Sequence, residues 1–127
     1  MPLVKIHTLK GKDDAVKKAI MDGVHRALVS AFKIPESDKT IFLSEYDEGN
    51  VGGKNGNFTL IEIIAFSGRS KDAKKQLYRE IVENVCAAVA FKPADLFIIV
   101  NDLPLENWGI RGGQMASEIN LGFKLDI

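Results

Sequence analysis

The chain has 127 residues, of which 46% are hydrophobic and 27% charged, as in an ordinary soluble globular protein of one domain. Its 17 basic and 17 acidic residues cancel, so nothing in the composition attracts nucleic acid or an anionic membrane, and we expect neither partner. The single Cys86 excludes an intrachain disulfide, no signal peptide precedes Leu3, and no apolar run approaches the roughly 20 residues of a membrane span. We therefore expect a cytoplasmic protein.

The first half of the chain predicts a β-α-β unit. A strand over Leu3–Leu9 alternates apolar and polar residues after Val4 and is broken at Gly11. Asp13 or Asp14 can cap the helix that follows, and Pro35 stops it before a second strand over residues 40–46. The apolar residues that recur at helical spacing are Val16, Ile20, Val24, Ala27, Leu28 and Ala31.

The second half predicts the same unit again. Residues 58–66 form a strong strand, Ser70 can cap the next helix, and Pro93 closes the helical segment. The run over residues 96–100 is wholly apolar, which is typical of a fully buried strand. The apolar face of this helix is predicted to hold Ala73, Leu77, Ile81, Val85 and Val89.

The two halves are related as an internal repeat with one offset, 57 residues, as between Gly11 and Gly68. Further pairs at this offset are Leu3 with Leu60, Ile6 with Ile63, and Lys17-Lys18 with Lys74-Lys75. We predict one α/β (α+β) domain over residues 1–127, with repeat halves at about 2–46 and 58–101 and a tail at 102–127. Right-handed crossovers put both helices on one face of a four-stranded mixed sheet, so the other face needs cover from an oligomer.

Two segments lie outside the repeat. Residues 47–56 are glycine-rich, but they lack a Gly-Lys-Ser/Thr motif and precede a strand, so we predict a plain loop with a tight turn at Asn55-Gly56. In the tail, Arg111-Gly112-Gly113 is followed by apolar residues in alternation at 119, 121, 123 and 125. The tail could form a hairpin or an edge strand that reaches a neighbouring subunit.

Pro2 directly follows the initiator methionine. Because Met1 is normally removed before so small a residue, we expect Pro2 to carry a secondary amine at the head of the first strand. Burial disfavours the protonated form of such an amine and lowers its pKa towards the range useful for proton transfer near neutral pH. A proline at the second position is, by itself, more often a rigid residue with no catalytic role. Whether Pro2 is catalytic therefore has to be judged from the rest of the chain.

The rest of the chain supplies that context. With Pro2-Leu3-Val4-Lys5 at its start and two β-α-β units, it carries Pro35-Glu36-Ser37-Asp38 before the second strand and Phe66-Ser67-Gly68-Arg69-Ser70 before the second helix. In this combination it resembles the tautomerase superfamily, with its 4-oxalocrotonate tautomerase-like fold, and within it the malonate semialdehyde decarboxylase group. The resemblance implies a homotrimer of the tautomerase/MIF type, an amino-terminal proline as general acid or base, and no cofactor or metal.

The resemblance also assigns roles to single residues. Pro2 would move the proton, and Arg69 would bind a substrate carboxylate or polarise a carbonyl. Asp38 would hydrogen-bond to the surroundings of Pro2, orient a water or help position the substrate. Without the resemblance, Asp38 would be a turn residue and Arg69 a solvated residue at a helix start. The decarboxylase group has two arginines separated by one residue at this site, and here Ser67 replaces the first. This replacement predicts weaker binding of a substrate carboxylate. Arg111 could supply a second cation.

The sequence gives weaker support for a catalytic or binding role at the remaining candidate residues. Trp108 and Phe123 could wall the substrate pocket and lower the dielectric around Pro2, although core or trimer packing explains them equally well. His7 favours a structural or interface role, His25 has no partner at metal-ligand spacing, and Cys86 favours packing in the second helix.

The leading hypothesis is a cofactor-independent keto–enol tautomerase, an isomerase that acts on a small 2-oxo acid or its enol. One alternative is malonate semialdehyde-type decarboxylase or hydratase chemistry, in which protonated Pro2 acts as an acid. Another is a non-catalytic trimeric ligand-binding protein that keeps the fold without turnover.

Overall fold

The computed structural model describes residues 2–127; the predicted removal of Met1 concerns a residue outside this range. Its helices and strands are, in chain order, β1 (Leu3–Leu9), α1 (Asp14–Phe32), β2 (Ile41–Tyr46), β3 (Thr59–Phe66), α2 (Lys71–Ala88), β4 (Leu96–Leu103), β5 (Gly109–Ile110) and β6 (Gln114–Met115). Short 3-10 helices lie at Glu48–Asn50, Pro93–Asp95, Leu105–Asn107 and Ala116–Glu118.

Four strands form one mixed sheet in the order β2-β1-β3-β4. β1 pairs in parallel with β2, β3 pairs in parallel with β4, and the two central strands β1 and β3 are antiparallel. Leu3 of β1 lies opposite Ile64 of β3, so the start of β1 and the end of β3 meet at one end of the sheet. This arrangement confirms the predicted fold class, a duplicated β-α-β unit with a four-stranded sheet.

Both long helices begin at capping side chains. The Asp13 carboxylate accepts a hydrogen bond of 2.9 Å from Val16 N, and the Ser70 hydroxyl accepts one of 3.1 Å from Ala73 N. These contacts satisfy amide groups that have no partner within the first helical turn. α1 ends as Lys33 turns into the left-handed region with φ 56°, two residues before Pro35.

The core lies between the helices and one face of the sheet. Ile6 of β1, Ile61 and Ile63 of β3, Leu28 of α1 and Leu77 of α2 are all at most 1% exposed. Each of these side chains stabilises the fold by roughly 1.5–3 kcal/mol on burial. Gly23 brings the helices together, because a Cβ there would lie 3.3 Å from Asn84 Cβ.

The internal repeat extends further than the sequence prediction. The same 57-residue offset relates the two capping residues, Asp13 and Ser70, and the 3-10 helices Glu48–Asn50 and Leu105–Asn107. The loop over residues 47–56 therefore has a structural counterpart at the start of the tail. A pseudo-twofold relation consequently covers the elements at both ends of the sheet.

Three details of the sequence prediction are wrong. β4 is not fully buried, because Phe97 and Ile99 are each 51% exposed on the sheet face away from the helices. α2 ends at Ala88, so Val89 lies in the extended segment that follows. The alternating residues 119–125 form no strand, whereas the hairpin expected in the tail is confirmed and lies earlier, between β5 and β6.

Within residues 2–127, neither α1 nor α2 is long and apolar enough to cross a membrane.

Candidate active site

The residues predicted to carry chemistry gather at the sheet end where β1 begins. Pro2 is buried and directly precedes the Leu3–Ile64 pair, so it lies beside the end of β3. The backbone of Val4 donates a hydrogen bond of 3.0 Å to Thr40 O, which brings the segment before β2 to the same place. Asp38, two residues before Thr40, therefore shares this end of the sheet with Pro2.

A cavity of about 270 Å³ opens at this end of the sheet, between the loop from α1 to β2 and the tail. Two predicted site residues, Asp38 and Phe123, line it, whereas Pro2, Ser67, Arg69 and Trp108 do not contribute to its wall. The complete lining consists of Pro35, Ser37, Asp38, Phe66, Ile110, Arg111, Leu121 and Phe123. The cavity is thus formed by one short loop, the end of β3 and the tail.

Arg69 lies behind this lining and is only 5% exposed. Its Nη1 donates a hydrogen bond of 3.1 Å to Phe66 O, and its guanidinium carbon lies 4.8 Å from the centre of the Phe32 ring. Among residues 2–127, the other two guanidinium nitrogens, Nε and Nη2, have no hydrogen-bond partner. Buried donors are normally satisfied, so these two nitrogens are where a further acceptor is expected.

The charge of Arg69 is set by opposing effects. Burial lowers the pKa of the guanidinium, while the nearby Asp102 and Asp38 carboxylates raise it. An arginine keeps its proton at any physiological pH, so the result is a buried cation near two carboxylates. Asp102 is itself held by Lys74, whose Nζ lies 2.5 Å from Asp102 Oδ2.

Asp102 and Lys74 were missed by the sequence reasoning. They lie 28 positions apart in the chain and meet because β4 runs beside the start of α2. The repeat relates them to Lys17 and Glu45, which form an ion pair of 3.1 Å at the same offset in the first half, although this contact too becomes visible only in the structure.

The loop that carries Arg69 is fixed by the end of the chain. Gly68 has φ 134°, and a Cβ there would lie 3.0 Å from Leu125 Cβ, so a larger residue would displace the tail. Ser70 N donates a hydrogen bond of 3.0 Å to Ile127 O, and Ser67 N donates one of 2.9 Å to Leu103 O. The tail therefore packs over the Arg69 loop instead of extending away from the chain.

Trp108 lies behind the cavity wall. Its ring meets that of Phe66 edge to face, with ring centres 4.8 Å apart at 77°. Its buried Nε1 has no hydrogen-bond partner within the described part of the chain. The ring of Trp108 therefore adds apolar volume next to Phe66. Its indole N–H is a buried donor for which residues 2–127 provide no acceptor.

Arg111 reaches the cavity from the tail. Its backbone adopts φ 51°, and its Nη1 and Nη2 donate to Asn120 O at 2.9 Å and to Leu121 O at 3.2 Å. These two bonds fasten the β5–β6 turn to the segment that carries Leu121 and Phe123. The guanidinium that could act as a second cation therefore also holds the cavity wall.

The remaining candidates lie apart from this cavity. His25 is buried in α1, with Nε2 2.8 Å from Glu36 O, and the burial of Cys86 in α2, followed by the charge of Asp95, raises the pKa of its thiol. His7 lies near the opposite end of β1, between Tyr46 and Glu62. No cluster of three or more His, Cys, Asp or Glu side chains in residues 2–127 is arranged to hold a metal ion.

Sequence comparisons with known families and relatives all match this chain to tautomerases. A model described as a tautomerase enzyme matches residues 47–111, which is more than half of the chain, and a second tautomerase enzyme model matches residues 2–55. A probable tautomerase, YrdN, of Bacillus subtilis (strain 168) is 21% identical over 122 residues, which cover 90% of this chain and 94% of the relative. A 2-hydroxymuconate tautomerase of Comamonas testosteroni is 33% identical over 51 residues, covering 40% of this chain and 81% of the relative.

Solved structures of the same fold agree with these matches. A malonate semialdehyde decarboxylase superposes with a TM-score of 0.80 at 23% identity, over 89% of this chain and 93% of that one. A fused 4-OT described as a symmetric trimer superposes with a TM-score of 0.81 at 23% identity, over 91% and 96% of the two chains. The duplicated β-α-β fold and the two family matches, which together span residues 2–111, show that the chain is a tautomerase-type enzyme and belongs to the tautomerase family.

Proposed function

We propose that the protein is a cofactor-independent keto–enol tautomerase for a small 2-oxo acid or its enol, with Pro2 as the proton-transferring group. The observation that carries this proposal is the buried cation beside the sheet end where Pro2 lies. Arg69 is 5% exposed, and its Nε and Nη2 have no acceptor among residues 2–127. A substrate carboxylate would satisfy both donors with the paired geometry that a guanidinium favours.

The proton moves between Pro2 and the carbon next to the keto group. In the ketonising direction, the protonated amine of Pro2 delivers its proton to C3 of the enol, while the enol hydroxyl gives up its own proton to water. The C2–C3 double bond becomes a single bond, and the C2–O bond becomes a carbonyl. In the reverse direction the free amine removes the C3 proton, so Pro2 serves as the acid and the base of one equilibrium.

The surroundings of Pro2 support this role. Pro2 is buried, and the cavity at its end of the sheet is lined in part by two aromatic side chains, Phe123 and Phe66, the second of which meets Trp108 edge to face. A dry apolar environment disfavours the charged form of an amine and strengthens the attraction between Arg69 and a carboxylate. Asp38 lines the cavity, where it would position a water or the substrate.

The substrate class follows from the single arginine and from the relatives. The Comamonas relative is named for 2-hydroxymuconate, a 2-hydroxy unsaturated acid and hence the enol form of a 2-oxo acid. We therefore propose a small 2-oxo acid, bound through its carboxylate at Arg69.

The direct experiment replaces the proposed acid and base. In protein whose loss of Met1 has been verified by mass spectrometry, Pro2→Ala should lower kcat for phenylenolpyruvate ketonisation by about 10² or more, the usual contribution of a positioned general acid or base. Pro93→Ala is the matched control, because Pro93 is exposed at the start of a 3-10 helix away from the cavity. Undiminished turnover in Pro2→Ala would show that the mechanism is wrong.

Decarboxylation is the second enzymatic reading, and one observation weighs against it. Ser67 stands where the resembling decarboxylases carry the first of two arginines, and its side chain does not line the cavity. A single buried guanidinium holds a 3-oxo acid less firmly than two do. Rapid carbon dioxide release from malonate semialdehyde would favour this reading, whereas an amine of ordinary pKa at Pro2, with no proton exchange into any substrate, would favour a non-catalytic binding protein.

We also infer that the chain forms a homotrimer through the open face of its sheet. Phe42 is 59% exposed, and Phe97 and Ile99 are each 51% exposed, all on the face away from the helices. Large apolar side chains gathered on one sheet face usually mark an interface. The similarity to fused 4-OT structures described as trimers supports three copies as the assembly.

A further inference from the structure

The loop that carries Asp38 to the candidate site has no regular structure of its own. Residues 33–40, between α1 and β2, contain only a turn, which is closed by a hydrogen bond of 3.0 Å from Asp38 N to Pro35 O. Three residues of this loop, Pro35, Ser37 and Asp38, line the cavity. None of the side chains from position 35 to position 40 is fully buried, so apolar packing does little to fix the loop.

The equivalent turn in the second half of the chain is capped by its own aspartate. At the 57-residue offset it spans residues 92–95, where Asp95 N donates to Lys92 O at 2.9 Å. The Asp95 carboxylate in turn accepts a hydrogen bond of 2.8 Å from Lys92 N. Pro35 stands at the position of Lys92 and has no N–H, so Asp38 cannot make this capping bond. The loop at the cavity therefore needs contacts from elsewhere to hold it in place.

His25 of α1 supplies one such contact. Its Nε2 lies 2.8 Å from Glu36 O, and because a carbonyl oxygen only accepts, the imidazole carries its proton on Nε2 and donates to the loop. His25 is 8% exposed, and breaking a hydrogen bond of a buried side chain is costly. The residue equivalent to His25 in the second half is Val82, which has no donor, so the shared fold does not by itself require a donor at this position.

A second contact joins the loop to the same face of α1. Lys39 Nζ lies 3.3 Å from Asp22 Oδ1, and Asp22 precedes His25 by three positions, which places the two side chains next to each other along the helix. Both partners of this ion pair are partly exposed, so it contributes less than the bond of His25. The loop is thus attached to α1 at Glu36 and at Lys39, on either side of Asp38.

We propose that His25 is a positioning residue of the candidate site, which holds the loop through Glu36 O and thereby places the Asp38 carboxylate at the cavity. The inference rests on the proposed function, in which Asp38 positions a water or the substrate. His25 does not line the cavity, so it acts on the reaction only through the place that it gives to Asp38. The bond from His25 does for this loop what the capping bond of Asp95 does for the equivalent turn.

Kinetics on full-length protein test the positioning role. His25→Phe keeps a ring at this position but loses the donor, and it should lower kcat/KM for phenylenolpyruvate ketonisation by about fivefold to tenfold, as expected for one lost hydrogen bond. Whichever of kcat and KM changes more in Asp38→Asn should also change more in His25→Phe, because both variants disturb the same carboxylate. His25→Gln restores an N–H donor near the position of Nε2 and should recover most of the activity.

A double-mutant cycle separates positioning from a general loss of stability. In the Asp38→Asn background there is no carboxylate left to place, so adding His25→Phe should lower kcat/KM by less than about twofold more. Ser30→Ala is the matched control, because Ser30 also lies on α1 and its hydroxyl donates a hydrogen bond of 2.8 Å to Glu80 of α2 instead of to the loop. Its loss should leave kcat and KM unchanged.

Amide hydrogen exchange measures the loop independently of turnover. By mass spectrometry, exchange over residues 36–39 should be about tenfold faster in His25→Phe than in the wild type, because the loop opens more often without its bond to α1. Exchange over residues 93–95, in the turn capped by Asp95, should not change. His25→Leu is smaller and also lacks a donor, so it carries the same expectations if His25→Phe does not fold.

Unchanged exchange over residues 36–39 in His25→Phe would overturn the proposal, whatever the reaction is. Wild-type kinetic constants in His25→Phe or Asp38→Asn, no recovery in His25→Gln, or an equal loss in Ser30→Ala would overturn it as well. So would a full further loss on adding His25→Phe to Asp38→Asn, since His25 would then act independently of Asp38. Undiminished turnover in Pro2→Ala would instead contradict the proposed function, and the exchange data would still decide whether His25 holds the loop.

Discussion

Arg69 combines burial, charge and incomplete hydrogen bonding in one side chain. It occupies a sheet-to-helix loop, where arginines are usually solvated, yet it is 5% exposed and stacked on Phe32. Taking a guanidinium out of water is costly unless its donors are satisfied. The nearby Asp102 and Asp38 carboxylates offset part of that cost, and a substrate carboxylate at the open nitrogens would offset more.

The shape of this cation can be tested separately from its charge. Arg69→Lys keeps a positive charge but loses the planar fork, so it should raise KM with a smaller effect on kcat. A lost bond to a charged group is worth about 1.5–3 kcal/mol, so we expect kcat/KM for phenylenolpyruvate to fall by about 10- to 150-fold. Steady-state kinetics measure both constants.

Arg79→Lys provides the control for Arg69→Lys. Arg79 is exposed on α2, where it lies 3.8 Å from Glu83, and its replacement should leave both kinetic constants unchanged. A fall in kcat at constant KM in Arg69→Lys would mean that the arginine acts on the reacting atoms instead of holding the carboxylate.

Sequence reasoning reached some residues of the candidate site and missed others for a physical reason. Pro2, Asp38 and Arg69 lie within short, recognisable segments, and they do come to one end of the sheet. The side chains that surround them across long chain separations, such as Asp102 and Lys74, carry no local pattern. The contacts of His7 were missed likewise, because Tyr46 and Glu62 meet the imidazole from two different strands, 39 and 55 positions away.

At the scale of elements, local chemistry sets the helix boundaries. The Asp13 and Ser70 caps are equivalent in the repeat, and each satisfies an amide three residues later. We expect Ser70→Ala and Asp13→Ala each to lower the free energy of unfolding by about 1 kcal/mol, the usual value of such a cap. Urea unfolding at one fixed protein concentration measures the change, because assembly makes stability concentration-dependent.

Ser117→Ala is the control for these cap variants. Ser117 is exposed within a 3-10 helix, and its loss should change the free energy of unfolding by less than about 0.5 kcal/mol. If the Ser70→Ala and Asp13→Ala values fall within that same range, the capping bonds contribute nothing to stability.

The positions of the helices and strands could be predicted from the sequence, whereas the partners that bury their outer faces could not. Capping residues, prolines and apolar spacing predicted both helices and all four strands of the sheet to within a few residues. The apolar run of β4 predicts full burial, but a strand covered by its own chain and one covered by another chain have the same composition. The alternation in the tail predicted a strand, but that segment instead packs its last residues against Gly68 and Ser70.

For the whole molecule, duplication explains both what the chain has and what it lacks. Two β-α-β halves place equivalent strands and helix starts at opposite ends of one sheet, and the end with Pro2 at the head of its strand is the one that holds the candidate site. Both helices pack on the same face, which leaves the other face without cover from residues 2–127. The asymmetry between the two ends of the sheet therefore comes from sequence differences within a shared fold.

Assembly through the open face makes the last prediction. Ile99 is 51% exposed in the single chain, and burial of an isoleucine side chain is worth about 1.5–3 kcal/mol, so Ile99→Glu should lose that gain and also place a charge in the interface. We expect the apparent dissociation constant of the trimer to rise by at least about tenfold. Size-exclusion chromatography with light scattering over a dilution series measures the shift from trimer to monomer.

The control for Ile99→Glu reverses a charge on the opposite side of the molecule. Lys75 is exposed on α2, on the helical layer, so Lys75→Glu should leave the trimer mass unchanged. A trimer that resists Ile99→Glu would place the interface elsewhere, and a wild-type chain of monomer mass would mean that the apolar residues of the open face remain in water. Because Pro2 lies at one end of this same sheet, kinetics measured on the dissociated variant would show whether the candidate site needs a neighbouring copy.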